Sequence, residues 1–326
     1  MEQVFASQNE IEHLRSSHKG HIFRETRFSD NFATIESGYL QSQVAIPSFD
    51  EKEYELWIAS GKVFYQNGEV ELSALNDYRL MRIIAQEKGL GLELSTYEIY
   101  KKLFQYIKEN NVGSLVRVWN YVPKILGETQ GLERYRQFNI GRHRAWQDYG
   151  LKSDDGQPIS PAATGISSHG GPIVIEALLT NHPVTYLQNP RQKPAHLYSS
   201  KYGPKAPVFS RATLCQGPNP EIYISGTASL SGEDVVWIGE PQKQVQEIFK
   251  IISALIAKDN VSAYGKALDF SLKNLIDVRV YIKNKTDYRI IREEVEKILG
   301  DKEVMYLHDD ICRQDFLVEI EGIARK

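Results

Sequence analysis

Hydrophobic and polar positions recur along this chain in two periods, and the carboxy-terminal part shows both most clearly. Residues 208–214 and 221–225 are short β-branched and aromatic runs separated by the breakers Gly217-Pro218-Asn219-Pro220, the pattern of two strands joined in a hairpin. Beyond Pro241, the residues Val245, Ile248, Phe249, Ile252, Leu255 and Ile256 fall at steps of three and four, which puts them on one helix face. A strand over 275–282, a second amphipathic helix over 288–299 and a final strand over 315–324 come next. The order β-β-α-β-α-β predicts an α+β layer, a mixed sheet with helices packed on one face.

The amino-terminal half carries the same signature. Leu115-Val116-Arg117-Val118-Trp119-Asn120-Tyr121 aligns with Leu275-Ile276-Asp277-Val278-Arg279-Val280-Tyr281. The helical patterns before these strings (96–109 and 241–258) and after them (133–138 and 287–295) correspond too. Ile173-Val174-Ile175-Glu176-Ala177 answers Val318-Glu319-Ile320-Glu321-Gly322, and upstream Ile58-Ala59-Ser60-Gly61 is matched with Tyr223-Ile224-Ser225-Gly226. Matches in one order imply an internal duplication, with an amino-terminal half over 1–185 and a carboxy-terminal half over 186–326. Segment 186–206 holds Pro190, Pro194 and Pro204 and reads as a stiff connecting loop. A second breaker-rich stretch, 154–172, includes the glycine-rich run 165–171. Long ordered loops in compact proteins tend to carry function.

Composition narrows the class without naming one. With 41% hydrophobic and 25% charged residues among 326, the chain has an ordinary globular profile. Lys and Arg total 39 against 42 Asp and Glu, a net charge of −3, which argues against nucleic acid as the main partner. Two cysteines, Cys215 and Cys312, can build neither a disulfide framework nor a Cys-rich zinc site, so free thiols in a reducing cytoplasm are expected. The first fifteen residues carry Glu2, Glu10 and Glu12 and no apolar stretch, unlike a signal or transit peptide. No run approaches the roughly 18 apolar residues of a membrane helix.

Local charge says more. Between Ala177 and Pro220 there is no acidic residue, while Arg191, Lys193, Lys201, Lys205 and Arg211 are present. A second basic cluster, Arg134, Arg136, Arg142 and Arg144, lies after Trp119-Asn120-Tyr121. These are either a solvated basic surface or an anion pocket, since guanidinium forks bind carboxylates bidentately. Arg211, inside a predicted strand, fits the second reading best. With Tyr186, Tyr198, Tyr202, Trp119 and Tyr121 nearby, such a pocket suits a small carboxylated ring.

Glu319 and Glu321 project from one face of the last strand, and Phe316, Val318 and Ile320 from the other. They are either a polar outward face or carboxyls in a partly apolar pocket, where a raised pKa makes a proton donor near neutral pH. In the duplicated alignment Glu176 matches Glu321, whereas Val174 stands where Glu319 does, so Glu319 is peculiar to one half. Cys312, seven positions earlier, is either a small buried hydrophobe or a reactive thiol. Other signals are weaker. The 165–171 run has neither the spacing of a nucleophile elbow nor the lysine of a phosphate loop. His13, His18 and His21 lie in a polar stretch without the surroundings of a metal site, and His308-Asp309-Asp310 reads as a loop.

Longer strings resemble a known family. Arg117-Val118-Trp119-Asn120-Tyr121-Val122-Pro123, Glu133-Arg134-Tyr135-Arg136-Gln137-Phe138-Asn139 with Gly141-Arg142, Asn189-Pro190-Arg191-Gln192, Tyr202-Gly203-Pro204, Phe209-Ser210-Arg211-Ala212 and Ile224-Ser225-Gly226-Thr227-Ala228-Ser229 are similar to chorismatases. The last strand, Leu317-Val318-Glu319-Ile320-Glu321-Gly322-Ile323-Ala324, resembles the YjgF-like signature on which that family is built. The resemblance implies two tandem YjgF-like (chorismate-mutase-like) halves, the second carrying the catalytic glutamate, with loop 186–206 lining the active site. It also implies removal of pyruvate from chorismate, a dicarboxylated cyclohexadiene enol ether, without metal or organic cofactor.

In that case Glu319 is the general acid that protonates the enolpyruvyl methylene. Arg211, Tyr198 and Arg136 hold the carboxylates, with the choice among Arg134, Arg136 and Arg142 left open, and Tyr121 lies near the ligand. Hydrolytic members carry alanine at the positions of Gly226 and Cys312. The Gly and Cys pair here is similar to the 3-hydroxybenzoate synthase type, in which the ring hydroxyl displaces the protonated pyruvyl group and Cys312 assists the proton traffic or shapes the pocket. Release of 4-hydroxybenzoate or of the diene diol stays open, as does the oligomeric state, a monomer included. A binding-only YjgF-like protein is the rival from another class, but such proteins are usually single-repeat trimers and this chain is duplicated.

Overall fold

The computed structural model describes residues 1–326 except 35–36, 88, 90 and 151–158, so the first residues of the breaker-rich stretch 154–172 lie outside the described residues. Three sheets succeed one another along the chain. The first is built from β1 (Glu2–Ser7), α1 (Gln8–Ser17), β2 (Ile22–Ser29), β3 (Ala33–Thr34), β4 (Gln41–Ala45) and β5 (Lys52–Ile58), in the order β1-β5-β2-β4-β3. The second contains β6 (Phe64–Gln66), β7 (Glu71–Leu75), β8 (Tyr78–Ala85), α2 (Gly91–Asn110) and β9 (Ser114–Pro123). After a short ribbon of β10 (Glu128–Thr129) and β11 (Leu132–Glu133) come α3 (Arg134–Tyr149), β12 (Ala162–Ser168) and β13 (Ile173–Thr180), giving the order β12-β9-β13-β8-β7-β6.

The third sheet comprises β14 (Val184–Leu187), β15 (Ala212–Cys215) and β16 (Glu221–Thr227), then the ribbon β17 (Leu230–Ser231) and β18 (Asp234–Val235). It continues through α4 (Pro241–Ile256), α5 (Lys258–Ser262), β19 (Leu275–Ile282), α6 (Tyr288–Leu299), β20 (Val304–His308) and β21 (Val318–Arg325), in the order β14-β15-β16-β21-β19-β20. The helices form where the periodicity puts them. Helix α4 starts at Pro241, a residue suited to the first helical turn, and its six periodic apolar side chains are all buried. Gly300, at φ +68°, stops α6.

The second and third sheets share one topology. In both, the strand before the first helix pairs antiparallel with the last strand, which pairs antiparallel with the strand between the helices, which pairs parallel with the next. The α+β class expected from the sequence is therefore present and the two duplicated segments share one topology, but the halves 1–185 and 186–326 are not the units: the duplicated sheets run from Phe64 and from Val184. The register agrees as well: Glu176 faces Trp119 and Glu321 faces Arg279, while Val174 faces Tyr121 and Glu319 faces Tyr281. One match fails. Tyr223 to Gly226 lie in β16, the counterpart of β8, whereas Ile58 ends β5; a strand end with small residues after it produced the likeness. The sequence reading also missed β20, whose apolar run Val304-Met305-Tyr306-Leu307 is buried throughout and so lacks alternation.

Residues 2–58 add a further repeat, the first along the chain, which the sequence reading did not foresee. The pairings β1·β5 and β5·β2 are antiparallel and β2·β4 is parallel, as in the other two sheets, but among the described residues no second helix separates β2 from β4. Each sheet packs helices on its outer face, over cores such as Ile248, Ile252 and Ile291 in the third and Leu103, Phe138 and Trp146 in the second. Their inner faces share one central core containing Phe23, Trp57, Trp119, Tyr223, Tyr281 and Ile311.

Charges cross this core in a ring. Arg24 of the first repeat donates to Glu55 at 2.8 Å and to Glu176 of the second at 2.9 Å. Arg117 of the second reaches Glu321 of the third, and Arg279 of the third donates to Glu321 at 2.9 Å and to Glu55 of the first. All six side chains are buried. Removing one partner of a buried pair strands the other charge, so Arg279→Met should lower the unfolding free energy by about 3–5 kcal/mol in urea titrations. Arg289→Met, which breaks an exposed pair with Glu293, should leave it unchanged within error.

Candidate active site

The site lies on the seam between the second and third sheets. The free edge of β12 is covered there by the chain entering β15 and by β16: Ser210 N–H donates to Pro161 O at 3.1 Å, Ala162 N–H to Thr213 Oγ1 at 2.8 Å and Ala163 N–H to Ser225 Oγ at 2.9 Å. The approach to β21 runs along the same edge, with Ile311 bridged to Ile166. Alternation along β21 sends Val318 and Ile320 into the core under α4 and α6. Glu319 and Glu321 face the seam, 3% and 4% exposed.

The two carboxyls are treated in opposite ways. Glu321 is held by Arg117 and Arg279, by Thr164 and Tyr281 hydroxyls and by Trp119 Nε1–H at 3.0 Å. Burial opposes its charge, but Arg117 and Arg279 prevail and hold its pKa below the usual glutamate range. Glu319 forms no ion pair among the described residues. Burial, reinforced by the negative charge of Glu321 and only partly offset by Arg117, pushes its pKa up to about 8. Two carboxyls on one strand face with pKa values driven apart are the arrangement of an acid beside a fixed anion.

Gly226 makes room for the acid. Its amide donates to Thr164 Oγ1 at 3.0 Å, and a methyl group at its Cα would lie 2.9 Å from both the Glu319 carboxyl carbon and Thr164 Oγ1. The carboxyl of Glu319 therefore rests against bare backbone. Cys312, a half-buried residue, is also a neighbour of the acid. Burial and the neighbouring Glu319 raise its pKa to about 12, which keeps it a thiol rather than a nucleophilic thiolate.

Helix α3 supplies the facing wall, because Tyr135, Asn139 and Arg142 recur at steps of four and three. The Tyr135 hydroxyl is within hydrogen-bonding reach of the Cys312 thiol and of Asn139, and its ring packs on Gly165. Arg142 is buried against Tyr100 and Trp146, its guanidinium carbon 5.2 Å from each ring, with Nε and Nη2 unpartnered. Arg211 donates to the Tyr198 hydroxyl at 2.6 Å and to Lys193 O at 2.7 Å, and its Nε is unpartnered. Of seven buried arginines among the described residues, five pair with carboxylates, and Arg142 and Arg211 do not. A buried cation without a counterion is a site for an anion that arrives with the ligand.

A cavity of about 420 Å³ opens outside the Cys312 and Tyr135 layer, lined by Arg136, Tyr202, Asp234, Ile238 and Arg313 among others. Arg136 is half-exposed there, 3.8 Å from Glu133 and beside Gly203. Glu319, Cys312, Gly226, Arg211, Tyr198 and Arg136 are thus gathered around one seam and its mouth, while Arg142 lies on α3 against Tyr100 and Trp146 of the second repeat's helix-side core. Tyr121 is not there either: its hydroxyl lies 3.5 Å from Arg24 in the central core. Trp119 serves Glu321, and Tyr186 bonds Leu115 O. Arg134 pairs with Glu87, and Arg191, Lys193 and Lys201 pair with Glu247, Glu233 and Asp234, acidic partners from outside the segment whose local charge drew attention to them.

The sequence reading missed Tyr135, Thr164 and Arg313. Only Tyr135 had a signal, its helical spacing from Arg142. Cys215 sits away from the site beside Tyr78. No group of three or more His, Cys, Asp or Glu side chains among the described residues could hold a metal ion, and no helix among them is long and apolar enough to cross a membrane.

Comparisons with known proteins converge. A family model described as chorismatase FkbO/Hyg5-like, N-terminal, matches residues 55–179. A 3-hydroxybenzoate synthase of Streptomyces hygroscopicus is 34% identical over 71% of this chain and 69% of its own length. A chorismatase of Streptomyces rapamycinicus is 32% identical over 84% of this chain and 83% of its own length. A chorismatase crystal structure superposes with a TM-score of 0.87 at 26% identity, covering 99% of this chain and 98% of that one.

The electrostatics of Glu319 can be measured without any ligand. Difference infrared spectra should contain a protonated-carboxyl stretch that disappears with a midpoint near pH 8, above the midpoints near pH 7 of the buried Asp277 and Asp309. The component near pH 8 should be missing in Glu319→Gln; if it survives, it belongs to another carboxyl and Glu319 is not the acid.

Proposed function

Because this chain belongs to the chorismatase family, we propose that it removes pyruvate from chorismate to give 3-hydroxybenzoate, with Glu319 as the general acid. The observation that carries this reading is a buried carboxyl, its pKa pushed up to about 8, on a seam where Arg211 is buried without a counterion beside Tyr198. Chorismate brings two carboxylates and an enol ether whose methylene carbon accepts a proton, so it supplies what each group lacks. Arg211 with Tyr198, and Arg136 at the mouth, take the carboxylates and orient the ring. Loop 186–206 forms the wall that carries Tyr198.

Glu319 gives its proton to the methylene carbon, which becomes a methyl group and leaves an oxocarbenium-like ether. The ring hydroxyl oxygen, keeping its proton, bonds to the neighbouring ring carbon as the ether bond breaks, giving a protonated epoxide, and the electron pair of the broken bond completes the keto group of pyruvate. The resulting epoxide opens to the aromatic phenol, and the ring proton lost at that step restores Glu319. Atoms balance without water. Glu321 remains a carboxylate throughout and favours the cationic stage. Cys312, held as a thiol, fills the space beside the acid and donates weakly to passing oxygen atoms. Gly226 is the position that lets the acid lie against the backbone, and the absence of a methyl group there supports the 3-hydroxybenzoate type. The cytoplasm, where chorismate is made and thiols stay reduced, is the proposed compartment.

Purified protein incubated with chorismate and no additive should release pyruvate and 3-hydroxybenzoate. Glu319→Gln should lower kcat by about 10²–10⁴-fold, the range for a positioned acid; retention within about tenfold would remove the assignment. A carboxyl with a raised pKa is protonated below that value, so kcat/KM should be flat on the acid side and fall above about pH 8. Gly226→Ala, which forces the Glu319 carboxyl off its seat, should reduce 3-hydroxybenzoate formation more than it reduces thermal stability.

A further inference from the structure

One cation at the mouth has no task in the mechanism above. Arg313 comes directly after Cys312, forms no ion pair among the described residues, and lays its guanidinium carbon 3.6 Å from the ring centroid of Tyr202. It is 5.1 Å from Tyr198 and 5.5 Å from Phe316, and its Nη1–H donates to the backbone oxygen of Glu233 at 2.8 Å. Tyr198 and Tyr202 belong to loop 186–206, and Glu233 sits at the turn of the β17–β18 ribbon.

Loop and ribbon are already one body. Gly232 N–H donates to Arg191 O at 3.2 Å, Lys193 N–H to Gly232 O at 3.0 Å, and Ser199 N–H to the Glu233 carboxylate at 2.8 Å. This body caps the seam, its inner side carrying the Tyr198 that Arg211 grips. Across the mouth, Arg313 ties the cap to the segment that carries Cys312 and leads into Glu319. Outside it lies the 420 Å³ cavity; inside, Glu319 is 3% exposed.

We propose that Arg313, stacked on Tyr202 and bonded to Glu233, is the seal that keeps water off the protonated substrate and so directs the reaction to 3-hydroxybenzoate. This rests on the function proposed above. Protonation by Glu319 makes the ether carbon electrophilic, and two nucleophiles then compete to release pyruvate. If water reaches that carbon, its oxygen bonds there, its proton passes to Glu319, and the hemiketal collapses to pyruvate and a ring that keeps both oxygens, the dihydroxycyclohexadiene carboxylate. If water is held out, the ring hydroxyl acts alone and the ring aromatises. A closed site prevents hydrolysis of reactive intermediates by such exclusion. Arg313 is a specificity-determining residue through its position, and it acts on the reaction without supplying or removing a proton.

The test is the product ratio. Arg313→Ala and Tyr202→Ala remove the two halves of the stack from opposite sides of the mouth. Each should raise the share of diene diol relative to 3-hydroxybenzoate by about fivefold, within the range that a stacked guanidinium contributes. The double variant should do no more than the larger single change, because one contact is lost in both, and Arg313→Lys should fall between wild type and Arg313→Ala. Circular dichroism melts show whether each variant is folded before it is assayed. An unchanged ratio in both folded single variants overturns the proposal, even if kcat/KM falls, since Arg313 would then only bind substrate. Absence of chorismate turnover by the wild type would instead overturn the function on which the proposal rests.

Discussion

Three buried glutamates, one from the last strand of each repeat, cannot share a core unless each is neutralised. The ring of arginines does this, and it does so across the seams: Arg24 reaches from the first repeat to Glu176, Arg117 from the second to Glu321, Arg279 from the third to Glu55. Coulombic attraction in a low-dielectric interior is strong but fails if any partner is missing, so the repeats are held in one fixed arrangement. The chemistry depends on that constraint. Glu321 stays ionised because Arg117 and Arg279 grip it, and its fixed charge two residues from Glu319 adds to burial in keeping the acid protonated.

Only one seam was given the rest of a site. Where the second and third repeats meet, α3 contributes Tyr135 and Asn139, and the third repeat contributes Gly226, Arg211 and Glu319. Among the described residues the first repeat has no helix between β2 and β4 to play the part of α3. Val174 stands at the register position of Glu319 in the second repeat, and in the first the residue two places before Glu55 is Glu53, which is 37% exposed and paired with Arg27.

Periodicity made the helices and the register of the duplicated strands legible, because both are set by local alternation and by burial of one face. Glu319 was legible for the same reason: placing Val174 opposite it needs only the alignment of β13 with β21. What escaped depends on tertiary contact. The first repeat lacks the strings that betrayed the other two, and β20 is buried on both faces. Charge runs misled where partners came from distant segments, as Lys193 and Lys201 did through Glu233 and Asp234, and the aromatic Tyr121 looked like a pocket wall but serves the central core. Thr164, a lone threonine in a strand, matters only because the third repeat brings Glu321 and Gly226 beside its hydroxyl.

The valine at position 174 has a meaning beyond its own seam. An acid whose pKa is lifted from 4.5 to about 8 weakens folding between those values, since the unfolded chain ionises there and the folded one does not; near pH 7 the loss is on the order of 3 kcal/mol. An assembly of identical copies would inherit that penalty at every equivalent strand at once, enough to consume most of the stability of a typical domain. Joining diverged copies in one polypeptide confines the burden to a single location, so tandem fusion lets the protein tolerate a strained, uncharged carboxyl that strict symmetry would forbid.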